Sequence, residues 1–264
     1  MQEMSREWQD MAACPPLRYA PHEEDEKVYP IEIDGPGLAQ AQRVVIVIHG
    51  MSTTVEILKA GYPAPEDGSL TKIYWRLPVL REGAESLQRR RQEDVFRQLF
   101  ASVVDESRAE LKTLIQSLGK RPVGLFGFSI GSLIALFGAA ENPEVGALVT
   151  VGGVPDLDYL QHYYPDYPWA DPAIQTRRQS YAVSAHRERL ASVPTLIMHG
   201  ESDDVAKWEW MQDFAETLMA ASPASRIQKF AHMRHRLSGE TPEEQQDLDN
   251  LRHMADQWFV DHLA

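Results

Sequence analysis

Cysteine, basic charge and long apolar runs are all scarce in this sequence, and each scarcity excludes a class of protein. The 264 residues contain a single cysteine, Cys14, so no disulfide can form within them. Lysine and arginine number 26 against 39 aspartate and glutamate, a net charge of -13, whereas nucleic-acid binding needs clustered basic residues. No apolar run approaches the roughly 18 residues of a membrane-spanning helix. We therefore expect neither a nucleic-acid partner nor a membrane partner.

The first residues of the chain are polar. Residues 1–10 lack the apolar core of a secretory signal, and an acidic run follows at residues 22–26. We expect residues 1–26 to form a solvated arm and the protein to be cytoplasmic. Nothing in the sequence specifies an oligomeric state.

The apolar residues that are present alternate between strand-like and helix-like patterns. They make up 43% of the chain, enough for a packed core. Strands are predicted for residues 27–34, 43–49, 71–77, 122–126, 146–151, 195–199 and 226–230. Helices are predicted for residues 86–118, with a break near 105–107, and for residues 132–140, 208–221 and 242–263, while residues 59–69 are predicted to be a loop. Strands that alternate with helices predict one α/β domain over residues 1–264, with a mostly parallel central sheet flanked by helices.

Residues 127–131 read Gly-Phe-Ser-Ile-Gly and lie between a predicted strand and a predicted helix. This G-x-S-x-G pattern suits an abrupt turn that exposes one serine hydroxyl at its tip. Glycine on each side removes side chains that would collide with the neighbouring strand and helix. The pattern predicts that Ser129 is a nucleophile.

Other polar residues follow the ends of the predicted strands. In an open α/β sheet, functional groups gather at the carboxyl ends of the strands. A serine nucleophile needs a base to take its proton and a carboxylate to orient that base. Ser129, Asp203 and His235 supply all three, in that order along the chain.

At these positions the sequence resembles the α/β-hydrolases, over nearly the whole chain from about residue 40. The resemblance is carried by the serine turn at 127–131, by His49-Gly50 after an early strand, by the Gly-x-x-Asp of residues 200–203 and by the late histidine. It is closest in layout to the small esterase and dienelactone-hydrolase-like branch. It implies a catalytic triad of Ser129, Asp203 and His235.

The resemblance also implies an oxyanion hole made of two backbone N–H groups. One is expected from Ile130, the residue after the nucleophile. The other is expected from Met51, with Ser52 as the alternative.

Two members of the expected triad have a neighbour of the same type. Asp204 follows Asp203, and the family's Gly-x-x-Asp spacing favours Asp203. His232 precedes His235, and the family's late histidine lies on a loop several residues after a strand, which favours His235. Ala206 stands where the family often has proline.

The remaining histidines near strand ends are expected to be structural. His49 is predicted to shape the oxyanion loop, and His199 to be buried with its hydrogen bonds satisfied. No spacing typical of zinc ligands is present. We expect no metal and no organic cofactor.

Residues 154–192 interrupt the alternation with prolines and aromatic residues, at a place where the family often inserts a lid. We predict a small aromatic-rich lid over 154–192. Its rings either line an acyl or alcohol pocket or only pack the insertion onto the body of the protein. The candidates for pocket residues are Tyr159, Tyr163, Tyr164 and Trp169.

These observations predict a serine hydrolase that cleaves a carboxylic ester or thioester of a small molecule through an acyl-enzyme on Ser129. Two alternatives use the same residues or the same fold. One is a peptidase or acyltransferase with the same triad, and the other is a non-catalytic ligand-binding protein.

Overall fold

The computed structural model describes residues 31–51 and 53–263. The predicted arm, the first four residues of the predicted first strand and Ser52 lie outside the described residues.

A seven-stranded sheet forms the centre of the structure. Its strands are β1 (Ile31–Asp34), β2 (Val44–Ile48), β3 (Thr71–Trp75), β4 (Val123–Phe128), β5 (Val145–Val151), β6 (Thr195–Gly200) and β7 (Arg226–Phe230). Their order across the sheet is β1-β3-β2-β4-β5-β6-β7. Only β1 is antiparallel to its neighbour, β3, and the other pairs are parallel. The mostly parallel sheet predicted from the sequence is confirmed.

The strands at the middle of the sheet are apolar on both faces. Strand β2 consists of five β-branched residues, all buried, as expected for a parallel strand covered by helices on both sides. Alternate side chains enter different layers: Ile46 and Ile48 belong to one core cluster, and Val45 and Val47 to the other. The sheet therefore separates two hydrophobic cores.

Nine α-helices surround the sheet. They are α1 (Val55–Gly61), α2 (Ala84–Asp94), α3 (Ala101–Ser117), α4 (Ile130–Glu141), α5 (Leu160–Tyr163), α6 (Pro172–Gln179), α7 (Arg187–Ala191), α8 (Trp208–Ala221) and α9 (Pro242–His262), counted over the described residues. Short 3-10 turns lie at Val79–Glu82 and Val183–His186. None of the helices within this part of the chain is long and apolar enough to cross a bilayer.

The predicted loop at 59–69 is wrong at its start, because α1 extends to Gly61. The Thr54 hydroxyl accepts a hydrogen bond from the Ile57 amide at 3.3 Å and caps this helix. Seven residues are too few to show a clear helical period in the sequence.

The predicted break near residues 105–107 is also wrong. Those residues lie inside α3, and the interruption occurs instead between α2 and α3. There a π-helical turn, Val95–Phe100, begins after Asp94, whose backbone is extended with φ -164° and ψ 101°. The Asp94 carboxylate accepts a hydrogen bond from the Arg97 amide at 2.7 Å and so caps a new helix start.

Candidate active site

Ser129 lies at the turn between β4 and α4 in a strained backbone conformation. Its φ is 57° and its ψ is -126°, and it is the one non-glycine residue with positive φ among the described residues. Residues other than glycine rarely adopt this backbone conformation. A Cβ atom on Gly131 would approach the Ile48 carbonyl oxygen to 2.4 Å. The turn thus requires a glycine where the sequence pattern has one, because α4 starts directly against β2.

The three residues of the predicted triad lie in one hydrogen-bonded row. His235 Nε2 is 2.9 Å from Ser129 Oγ, and His235 Nδ1 is 2.8 Å from Asp203 Oδ2. The side chain of Asp203 is 1% exposed and that of His235 is 9% exposed. The Phe128 ring lies against the imidazole, with centroids 5.0 Å apart. Because water is excluded from these buried side chains, their charges and dipoles are weakly screened and interact more strongly.

The loop after β6 fixes the second oxygen of Asp203. Asp203 Oδ1 accepts hydrogen bonds from the amides of Val205, at 3.0 Å, and Ala206, at 2.8 Å. Proline at position 206 has no N–H and cannot make the second bond. The departure from the family pattern at Ala206 therefore provides a donor to the carboxylate. Asp204 is exposed.

Gly152, at the end of β5, is a site residue that the sequence analysis did not identify. Its φ is 52°, and a Cβ atom there would lie 3.0 Å from Asp203 Oδ2 and 3.3 Å from His235 Nδ1. The pair Gly152-Gly153 after a predicted strand was the available signal. A side chain at 152 would push the acid and the imidazole apart.

His49 holds the loop after β2 through both of its ring nitrogens. Nδ1 lies 2.8 Å from the Gly50 carbonyl oxygen, and Nε2 accepts a hydrogen bond from the Leu77 amide at 3.2 Å. Burial lowers the pKa of His49 to about 4, so the ring is neutral at pH 7. A neutral ring with its proton on Nδ1 satisfies both contacts.

The hydrogen bond between His49 Nδ1 and the Gly50 carbonyl oxygen sets the direction of the Met51 N–H. In a trans peptide the N–H points away from the carbonyl of the same unit, so the Met51 N–H points away from His49. A Cβ atom at Gly50 would lie 2.8 Å from Ser129 Cβ, which shows that the loop backbone packs directly against the serine. Met51 and Ile130 both line the cavity at Ser129.

The other two histidines near the strand ends do not join the row. His199 Nε2 lies 2.5 Å from the Ala206 carbonyl oxygen, and burial lowers its pKa. The expectation that its hydrogen bonds are satisfied is wrong for Nδ1, which is buried without a partner among the described residues. His232 is exposed, and its amide donates to Asp247 on α9 at 2.8 Å.

A small cavity opens beside Ser129. It is lined by Met51, Phe100, Ser129, Ile130, Gly152, Val154, Tyr159, Val205, Ala206 and His235. Tyr159 lines this cavity, and its part in substrate binding stays a prediction. Phe100 also lines it, but the helical pattern of the sequence indicates only a core position for that residue.

Tyr163, Tyr164 and Trp169 are not among the described residues that line this cavity. The Tyr163 hydroxyl donates to the Val205 carbonyl oxygen at 2.7 Å, which ties this ring to the loop after β6. The Trp169 indole donates to the Tyr164 carbonyl oxygen at 2.7 Å and packs on Phe96, with ring centroids 5.4 Å apart. Tyr164 packs on Phe100 from outside the cavity. For these three rings the structure corresponds to the packing alternative.

Within residues 31–51 and 53–263, no group of three or more His, Cys, Asp or Glu side chains is arranged to hold a metal ion. The chemistry available at the site is that of the hydroxyl, the imidazole and the carboxylate.

Comparison with known proteins finds similarity to hydrolases. The sequence pattern of the dienelactone hydrolase family matches residues 40–259. A 2,6-dihydropseudooxynicotine hydrolase of Paenarthrobacter nicotinovorans is 28% identical over 127 residues, which cover 45% of this chain and 33% of that protein. The match thus spans about a third of the length of this curated relative.

Solved structures share the fold. The esterase domain of a Rhodothermus marinus protein superposes with a TM-score of 0.59 at 17% identity, covering 88% of this chain and 92% of that one. A dienelactone hydrolase from Anabaena variabilis gives a TM-score of 0.57 at 22% identity, covering 89% and 92%. At such identities the likeness concerns the fold alone, and that fold is the α/β-hydrolase fold.

Proposed function

The chain belongs to the dienelactone hydrolase family, and from that premise we propose that it is a serine hydrolase that cleaves a carboxylic ester or thioester of a small molecule. The observation that carries the proposal is the row of Ser129, His235 and Asp203, with contacts of 2.9 and 2.8 Å. In this geometry one imidazole reaches both the hydroxyl that must lose a proton and the carboxylate that stabilises the resulting imidazolium.

The first half of the reaction forms an acyl-enzyme. Ser129 Oγ attacks the carbonyl carbon of the substrate while His235 Nε2 takes the hydroxyl proton. Asp203 holds the proton on Nδ1 and keeps the ring oriented. The tetrahedral intermediate then collapses, and His235 gives its proton to the departing alcohol or thiol.

The second half releases the acyl group. His235 takes a proton from water, which attacks the acyl carbon, and Ser129 leaves with that proton. This chemistry requires neither a metal nor an organic cofactor.

The oxyanion of both intermediates is assigned to the amides of Ile130 and Met51. Ile130 begins α4, so its N–H is one of the unpaired donors of a helix start. The orientation of the Gly50 carbonyl toward His49 turns the Met51 amide the other way. One donor of this kind typically contributes about 3 kcal/mol of transition-state stabilisation.

We assign residues 154–192 as a lid on a single domain. The assignment is supported by Val154 and Tyr159, which line the cavity at Ser129, and by the packing of Trp169 on Phe96 of the body.

Hydrolysis of p-nitrophenyl esters from acetate to laurate, by wild type and Ser129→Ala in parallel, tests the proposal. We expect wild type to turn over the short esters and Ser129→Ala to lose at least about a thousandfold in kcat/KM, because no other group can form the acyl-enzyme. Ser117→Ala, on the exposed face of α3, is the matched control and should keep full activity.

The proposal is overturned if wild type hydrolyses none of the esters faster than Ser129→Ala does. Labelling with a fluorophosphonate probe then distinguishes the alternatives. Labelling of Ser129 without ester turnover would indicate a peptidase or acyltransferase, and no labelling would indicate a binding protein.

A further inference from the structure

The cavity at Ser129 is small, and most of the described side chains that line it are apolar. The centre of a water-sized sphere can occupy about 30 Å³ of it, room for roughly two or three water molecules. Its described lining contains no Lys, Arg, Asp or Glu. An ionised group that entered would lose its hydration without gaining an oppositely charged Lys, Arg, Asp or Glu side chain, which is unfavourable. A group held entirely within this space must therefore be short and neutral.

Phe100 lines this cavity from the π-helical turn between α2 and α3. The turn is closed by a hydrogen bond from the Ala101 amide to the Phe96 carbonyl, five residues apart. Such wide turns are rare in proteins, and those that occur are often located at functional sites. Phe96 and Phe100 are four residues apart and lie on one face of the turn, and both contact rings of the insertion over 154–192.

The two phenylalanines have different neighbours there. Phe96 packs on Trp169 and Tyr181, with ring centroids 5.4 and 6.2 Å apart, and does not line the cavity. Phe100 packs edge-on against Tyr159, at 6.3 Å and 89°, and both of these rings line the cavity. Phe96 therefore anchors the insertion, whereas Phe100 bounds the space beside Ser129.

The Phe100 ring has little freedom to move aside. It is 2% exposed and is also in contact with the Tyr164 ring, at 6.3 Å. The turn that carries it is fixed at its start by Asp94, which accepts hydrogen bonds from the Arg97 amide and the Tyr167 hydroxyl, both at 2.7 Å. In a densely packed wall of this kind, making room for one extra methylene group costs free energy.

The acyl half of the substrate is the half suited to this enclosed space. After the first step the acyl group stays attached to Ser129, while the alcohol or thiol must leave for solvent. A pocket closed by Phe100 and Tyr159 can hold the retained group without obstructing the leaving one.

We propose that Phe100 is a specificity-determining residue that ends the acyl pocket and restricts the enzyme to short, neutral acyl groups such as acetyl and propionyl. This inference rests on the proposed ester hydrolysis and names the substrate class of that same site.

The test compares Phe100→Leu with Phe96→Leu, two equal truncations in one turn of which only the first opens the cavity. For each variant and wild type, kcat/KM is measured on p-nitrophenyl acetate and p-nitrophenyl hexanoate. We expect the hexanoate-to-acetate ratio to rise at least about tenfold in Phe100→Leu, since a methylene in an apolar pocket changes rates by about that factor or more. Phe96→Leu should keep the wild-type ratio.

A second variant works in the opposite direction and does not remove core volume. Val154→Leu adds bulk to the same cavity and should lower the propionate-to-acetate ratio. A parallel series of acetate esters with longer alcohols should show no shift in Phe100→Leu.

Two results would overturn the inference while the proposed function stands: an active Phe100→Leu whose acyl ratio matches that of Phe96→Leu, or a shift confined to the alcohol series. Absence of ester hydrolysis by wild type would remove both proposals together, so the two failures are distinguishable.

Discussion

Asp203 and Asp204 are adjacent and chemically identical, yet their surroundings differ. Both oxygens of Asp203 are engaged, one by His235 and the other by the amides of Val205 and Ala206. Asp204 projects from the same loop into solvent. The folded loop places Asp203, the residue that the family's spacing favours, against His235.

This difference gives a prediction for the two asparagine variants. Asp203→Asn should lower kcat by about a thousandfold to ten-thousandfold, because the amide favours the wrong imidazole tautomer and cannot stabilise the imidazolium. Asp204→Asn should stay within about twofold of wild type, since an exposed charge contributes little. Steady-state kinetics on one short ester decides it, and comparable losses in both variants would contradict the assignment of Asp203.

At the scale of elements, the loop after β2 depends on one buried side chain. His49 ties the Gly50 carbonyl to the Leu77 amide across the loop and the end of β3. The strand itself was evident from five consecutive β-branched residues, and β7 and α8 were predicted with their observed bounds. The short helix α1 and the π-helical turn were not predicted, because caps and wide turns leave weak periodic signals.

His49→Leu should therefore impair catalysis more than binding. Without the Nδ1 donor, the peptide between Gly50 and Met51 loses its fixed orientation, and we expect kcat to fall about tenfold to a hundredfold with KM little changed. Active-site titration with a fluorophosphonate should count the folded enzyme. His262→Leu, at the end of α9, is the control and should retain wild-type kcat.

A rise in KM at unchanged kcat in His49→Leu would show instead that this loop binds the ground state of the substrate. Restoring kcat with a residue that donates from the same place, as in His49→Asn, would support the positioning role.

At the scale of the whole molecule, histidines that are buried without charge link stability to pH. Burial lowers the pKa of His49 from 6.5 to about 4 and lowers that of His199 as well. Between pH 6.5 and about pH 4, His49 of the unfolded chain binds a proton that His49 of the native protein does not. The destabilising contribution of these histidines is therefore absent above about pH 6.5 and grows as the pH drops toward the native pKa.

For His49 alone, the loss in free energy of unfolding should reach about 3 kcal/mol near pH 4. Urea unfolding at about pH 7 and about pH 4.5 measures it. The decrease in unfolding free energy should be smaller in His49→Leu than in wild type. Equal decreases in the two proteins would mean that His49 is not buried neutral.

The loop that carries His235 is also held by the whole fold. Arg236 pairs with Glu244 at the start of α9 at 2.8 Å, and α9 is fixed to the sheet by an ion pair between Asp256 and the fully buried Lys72, also at 2.8 Å. Burial lowers the pKa of Lys72 to about 8. The position of the imidazole thus depends on a helix packed on the opposite face of the sheet from α4.

The sequence by itself determined the mostly parallel sheet, the turn around Ser129 and the order of serine, acid and histidine, because strand periodicity and turn chemistry are local properties of the chain. Tertiary structure alone decided that Phe100 rather than Phe96 bounds the cavity, and that a side chain at Gly152 would collide with Asp203 and His235. Those outcomes depend on contacts between distant segments, such as the hydrogen bond that joins His235 to Ser129 across 106 positions. Residues with identical local patterns are distinguished only by what packs against them.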